Sequence, residues 1–301
     1  MSADATRVRR ARVAIYGPVV LGVLGLIVAM AGAIGLAVTR HSGTNKHVII
    51  TLPAPPVPAR SARNQFLLVG ADARLYPRGD LAHPRAIAAG GHIVGAAAAG
   101  KGGVWLATAS GKVYASGAYA LGGVMLGKHA APIVGIASAP AGLGYRLVAA
   151  DGHVYPFGVP NRGQYTLDKP GQHVVGIATT STDGYWLALS DGTVSPFAAP
   201  TLGRFAVKAG AAPVVGIAAS LDGSGYWLVT ADGHVHAFGV PFRGDLAHSH
   251  VKARVVAIAA GAQDGYWLTT ADGQVYPFAS PTFVKHVKTK PRAPIVAIVP
   301  Y

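Results

Sequence analysis

Stretches of one pattern recur along this chain at a nearly fixed interval, and that period constrains the fold more than any other feature. YWLVTADGHVHAF (226–238) has close copies in YRLVAADGHVYPF (145–157), YWLALSDGTVSPF (185–197) and YWLTTADGQVYPF (266–278). Weaker copies are VWLATASGKVYAS (104–116) and FLLVGADARLYPR (66–78). Aligned on Trp105, Arg146, Trp186, Trp227 and Trp267, the copies step by 41, 40, 41 and 40 residues. A second motif returns between them as IVGAA (93–97), IVGIA (133–137), VVGIA (174–178), VVGIA (214–218), VVAIA (255–259) and IVAIV (295–299). A period near 40 marks stacked or radial repeats, in which each unit buries its apolar surface against its neighbours.

Each unit reads as β. The VVGIA run is a short apolar strand and YWLVTAD a second. Asp-Gly predicts a tight two-residue hairpin with positive φ at both central positions. HVYPF is a third strand, and a weaker fourth, such as RFAV (204–207), follows a Pro-containing bend. Four strands in about 40 residues match one blade of a β-propeller. Strands one and two are apolar on both faces, so both sides must be covered, as neighbouring blades would cover them. The middle of strand one is small: Gly135, Gly176, Gly216, Ala257, Ala297. Crowding of innermost strands around an axis accounts for that. The repeat region begins with a second strand near Phe66 and finishes with a first strand, PIVAIVPY (294–301). The predicted fold is therefore all-β, a six-bladed propeller of four-stranded repeats over 64–301. Its C-terminal strand closes the first blade and leaves no free edge. Tyr226, Trp227 and their equivalents fill the space between blades.

The stretches VVGIAASLDGSGYWLVTADGHVHAFG (214–239) and VVGIATTSTDGYWLALSDGTVSPFA (174–198) resemble a repeat family common in exported proteins of actinobacteria, with units like VVGIAATPDGxGYWLVxSDGGVFxFG. The first units depart from that pattern. Ala73 replaces the turn Gly, and Arg146 replaces Trp in the third. The resemblance implies an accessory or binding module, found in that family sometimes beside cell-wall hydrolases. It supplies no catalytic residue to carry over.

Ahead of the repeats the chain changes character. Residues 13–39 form an apolar run of 27 residues without a charge, long enough to cross a bilayer core. Arg7, Arg9, Arg10 and Arg12 precede it, which places a basic tail (1–12) in the cytoplasm and the remainder outside. The rival reading is a cleaved signal peptide, but the Ala31-Gly32-Ala33 site lies inside the apolar run. Residues 40–63 form a linker whose LPAPPVPA stretch (52–59) predicts extended polyproline II, a semi-rigid spacer. The expected location is the cell membrane, single-pass, with an extracytoplasmic C-terminal domain.

The residues that carry chemistry are sparse. The sequence has no Cys and no Glu, so thiol chemistry is excluded and paired-carboxylate hydrolysis would have to use Asp alone. Asp151, Asp191, Asp232 and Asp272 precede Gly at the hairpins, and Asp183, Asp222 and Asp264 precede the second strand. Turn chemistry explains all seven. His234 and His236 share a strand face, but Thr193, Gln274 and Lys112 stand at the sister positions of His234. His248 and His250 fall in a loop. No catalytic residue, metal site or cofactor is assigned.

Charge placement is the informative signal. There are 26 Lys and Arg against 12 acids, and 64–301 alone holds 18 against 11. Ten basic residues sit in segments that join one blade's outer strand to the next blade's inner strand: Arg85, Lys128, Lys169, Lys208, Lys252, Arg254, Lys285, Lys288, Lys290 and Arg292. In a propeller those connections emerge on one face, which predicts a positive surface above the channel mouth. The expected function is docking of an anionic cell-envelope polymer, lipid head group or envelope protein, with no nucleic acid, since the loops lack interleaved aromatics. The alternatives are a ligand-sensing ectodomain and a propeller hydrolase or lyase.

Overall fold

The structure, a computed structural model, describes residues 65–79, 81, 87–249, 251–281 and 290–301. The basic tail 1–12, the apolar run 13–39 and the linker 40–63 lie outside the described residues, as do Arg85, His250, Lys285 and Lys288. The described strands belong to one compact unit, Ala62–Tyr301.

In chain order the strands are β1 (Phe66–Gly70) and β2 (Leu75–Arg78), then β3 (Ile93–Ala98), β4 (Val104–Thr108) and β5 (Val113–Ser116). Next come β6 (Ile133–Ser138), β7 (Tyr145–Ala149) and β8 (Val154–Phe157), then β9 (Val174–Thr179), β10 (Tyr185–Leu189) and β11 (Val194–Phe197). The last are β12 (Val214–Ala219), β13 (Tyr226–Thr230), β14 (Val235–Phe238), β15 (Val255–Ala260), β16 (Tyr266–Thr270), β17 (Val275–Phe278) and β18 (Ile295–Pro300). They form six antiparallel sheets. Sheet one is β18-β1-β2, and sheets two to six take three consecutive strands each. Ile298 of β18 stands opposite Leu68 of β1, so residues from the far end of the repeats complete the first sheet.

Two expectations are corrected. Among the described residues the sheets have three strands, not four. The segment 204–207 stays outside the ladder because its one backbone bond goes elsewhere: Val207 N–H donates to the Asp191 carbonyl at the hairpin turn, at 2.9 Å. The hairpin is also longer than two residues. In sheet five, Gly233 N–H donates to the Thr230 carbonyl (2.9 Å) and Thr230 N–H to the His234 carbonyl (3.0 Å), enclosing Ala231-Asp232-Gly233. The Gly alone takes positive φ (94°), which is the three-residue loop with a glycine bulge. Ala73 takes the same place at φ 64°.

The ring itself is set by small residues. A Cβ on Gly95 would stand 3.3 Å from Ile136 Cγ2, and one on Gly176 would stand 3.2 Å from Ile217 Cγ2. Gly135 faces Ile177 (3.5 Å) and Gly216 faces Ile258 (3.4 Å) in the same way. Equivalent residues of successive inner strands therefore meet, so those strands run in one direction around the axis. β18 touches both β15 and β3, which closes the circle into the arrangement of a six-bladed β-propeller. Where Ala297 replaces the glycine, Ala96 replaces the facing isoleucine, and both sit in one apolar cluster.

The middle strands are fully buried and carry the aromatic joints. Trp186 of sheet four leans on Tyr226 of sheet five at 5.1 Å between ring centroids, and Trp105–Tyr145 and Trp227–Tyr266 repeat the contact. The indole N–H groups of Trp105, Trp186, Trp227 and Trp267 donate to the carbonyls of Tyr119, Pro200, Pro241 and Pro281, at 2.8 to 3.1 Å. Each lies three residues past the end of its sheet's outer strand, on the connection to the next sheet. A tyrosine at the start of the middle strand of sheets three to six holds the connection that enters its sheet: the hydroxyls of Tyr145, Tyr185, Tyr226 and Tyr266 donate to the carbonyls of Gly122, Gly163, Gly203 and Gly244.

Candidate functional site

Because the inner strands run one way, all six hairpin turns emerge at one end of the ring. The connections arrive there too, just before each inner strand begins. The first inner-strand N–H donates to a carbonyl of the preceding sheet's turn, as Val174 does to Ala150 (2.9 Å) and Val255 to Ala231 (3.0 Å). That hydrogen bond fixes the height at which each connection meets its neighbour's hairpin.

Seven of the ten predicted basic residues are described, and all seven are exposed at this end: Lys128, Lys169, Lys208, Lys252, Arg254, Lys290 and Arg292. Lys169 Nζ is held by Asp191 Oδ2 at 3.3 Å. Among the described residues the other six side chains have no hydrogen bond or ion pair. Sequence reasoning missed two features of this surface. Arg204 is exposed in the same run of connections. The hairpin carboxylates also share the end with the cations, so the surface is mixed in sign. The Asp-Gly pattern carried that second signal, since a turn residue must come out where the connections do.

The carboxylates are occupied locally. Asp191 accepts from Gln172 Nε2 (2.9 Å) and from Thr193 N–H (3.0 Å). Burial alone would raise its pKa, but the bonds from Thr193, Gln172 and Lys169 outweigh it and hold the carboxyl below its ordinary range. Asp232 behaves likewise, burial being outweighed by Thr230 and His234. His234 Nδ1 lies 3.1 Å from Asp232 Oδ2, whereas His236 stacks on Phe205 at 3.6 Å. Burial, with His234 nearby, pushes the His236 pKa down. The two histidines are thus engaged by different partners.

The hub offers little chemistry. The inner strands read IVGAAA, IVGIAS, VVGIAT, VVGIAA, VVAIAA and IVAIVP, with no titratable side chain among them. Their second residue is Val in every sheet and is half-buried. The arrangement can present charge at its rim, and its hub strands supply no group to move a proton.

At the opposite end one joint departs from the repeat. Arg146, fully buried, stands where four of the other sheets have Trp and sheet one has Leu67. Its Nη2 donates to the Pro160 carbonyl (3.1 Å), the same acceptor an indole would use, and to Asp183 Oδ1 of the next sheet (2.8 Å). Its guanidinium lies over the Tyr185 ring at 5.1 Å. Nε and Nη1 have no partner. Arg162 reaches Asp183 Oδ2 at 3.4 Å.

Fold and rim together define a small β-propeller with a charged, loop-built end. No protein-family model matches the chain, and no curated protein matches it. Among solved structures, a protein of unknown function from Bacteroides caccae is 12% identical, with 79% of this chain and 98% of that chain covered and a TM-score of 0.56. Virginiamycin B lyase from Staphylococcus aureus is 17% identical, with 84% and 85% covered and a TM-score of 0.39. At such identities the first likeness concerns the fold alone, and the second is too loose to carry an argument.

Proposed function

We propose that this protein is a membrane-tethered binding module whose propeller docks an anionic partner through the end that carries the hairpins and connections. The observation that supports this most directly is that, among the described residues, six cationic side chains there are exposed and unpartnered while the neighbouring carboxylates are engaged by hydrogen bonds. The exposed cations outnumber the carboxylates among the described residues of that end, which gives a net attractive field for anions, screened within about 8 Å at physiological salt. The absence of titratable groups from the inner strands favours binding over catalysis at the hub. The apolar run 13–39 supports the tether.

Two measurements test this reading. The full chain in neutral-lipid nanodiscs should bind a polyanion such as long-chain polyphosphate, weaken steeply with added salt, and ignore neutral dextran. Salt-insensitive binding, or equal binding to dextran, would remove the electrostatic basis. Protease shaving of intact cells should digest the repeat domain while carbonate washing leaves the chain in the membrane; a chain released by carbonate would remove the tether.

A further inference from the structure

The charge at the hairpin end is unevenly distributed. Around sheets five and six, and on the connections entering sheets five, six and one, the described residues bring together Arg204, Lys208, Lys252, Arg254, Lys290 and Arg292. Asp232, Asp245 and Asp272 are the acids of that sector. The remaining arc has Arg74, Lys112, Lys128 and Lys169 against Asp72, Asp151, Asp168 and Asp191, an even balance among the described residues.

Pairing sharpens the contrast. In the balanced arc Arg74 is tied to Asp72 (3.1 Å) and Lys169 to Asp191 (3.3 Å). In the sector none of the six cations has a side-chain partner among the described residues, whereas all three carboxylates are engaged. Asp232 takes Thr230 and His234, Asp245 accepts from Ala247 N–H (3.1 Å), and Asp272 takes Thr270 and Gln274 N–H. The excess positive charge of the described end is therefore concentrated over two sheets, off the axis of the ring.

Resting on the docking reading above, we infer that this sector binds a linear, phosphate-rich polymer that lies along the rim over sheets five and six, rather than a compact anion seated over the channel. Three successive connections deliver cations in an arc, which a chain of repeating charges can follow and a single small anion cannot. The sector is mixed Lys and Arg, both phosphate ligands. A bilayer surface fits less well, because stable anchoring adds apolar contact to charge. The exposed large apolar side chains Tyr119, Leu143 and Phe242 lie toward the opposite end, and Met125 falls on the connection between sheets two and three.

The test uses the full chain in neutral-lipid nanodiscs, long-chain polyphosphate as the probe, and two variants of exposed residues with unchanged circular dichroism and thermal midpoint. The sector variant carries Lys252→Glu, Arg254→Glu, Lys290→Glu and Arg292→Glu; the arc variant carries Lys112→Glu and Lys128→Glu. At low salt the sector variant should lose at least about tenfold in affinity and the arc variant less than about twofold. Losses proportional to the charges reversed in both would overturn the sector while leaving the docking reading standing. No loss in either would overturn both. Binding of polyglutamate or of phosphatidylglycerol vesicles in place of polyphosphate would overturn the polymer.

Discussion

Arg146 does a tryptophan's work with different chemistry. It reaches the same Pro160 carbonyl, covers the same neighbouring tyrosine, and adds an ion pair with Asp183, 37 residues away. Breaking a buried pair from one side leaves an uncompensated charge, which typically costs about 3–5 kcal/mol; Asp183 is partly exposed, so the low end applies. Asp183→Asn should therefore destabilise the domain by about 3 kcal/mol in chemical denaturation. Arg146→Trp combined with Asp183→Gly should be at least as stable as the parent, because Trp restores the repeat's joint and Gly suits the backbone at φ 68°. A double variant weaker than Asp183→Asn alone would refute the equivalence. The substitution of Arg for Trp is legible in the repeat alignment. Its partner is not, because Asp183 reads as a turn residue like Asp222 and Asp264.

At the scale of the strand, the pairing of glycine with isoleucine sets the spacing of the ring. Gly176→Val would push a branched side chain into Ile217, and overpacking of this kind costs about 1–3 kcal/mol. Ile217→Ala in the same chain should recover part of that loss, as Ala96 opposite Ala297 already illustrates. A double-mutant cycle that came out additive would mean the two residues are not in register. Most of the architecture was readable at this level because a period of 40 residues and a short apolar run for each inner and middle strand both survive in the sequence. The fourth strand was not. RFAV has strand composition, but its backbone bond goes to a turn, and composition does not report where a hydrogen bond points. The hairpin was misread for a related reason: Asp-Gly suits both a two-residue turn and the three-residue loop that forms. The basic connections were also legible, but not the carboxylates that join them in space, because chain order separates what the ring brings together.

For the whole molecule, three of the connections are clasped from both sides, by an indole behind and a phenol ahead. Burial pushes the hydroxyls of Tyr145, Tyr226 and Tyr266 up to about 12 from an ordinary 10. A phenol whose folded pKa is raised contributes stability that is complete below pH 10 and disappears as the pH climbs through its folded value. The domain should accordingly lose thermal midpoint steeply between pH 10 and 12. Replacing all three tyrosines by Phe should lower the midpoint at pH 8, through the lost hydrogen bonds, yet flatten the alkaline decline. An equally steep decline in that variant would assign the transition to other groups.

The first sheet has a temporal consequence. β1 and β2 are made early, but their third partner, β18, comes from residues 295–300, after the other sheets have been spelled out. Until those residues are synthesised, the early hairpin waits with one side bare and nothing local to cover it. The circle therefore acts as a check on manufacture: a chain interrupted anywhere before its final repeat is left visibly unfinished, and quality-control proteases could sort it from a completed one by that uncovered edge.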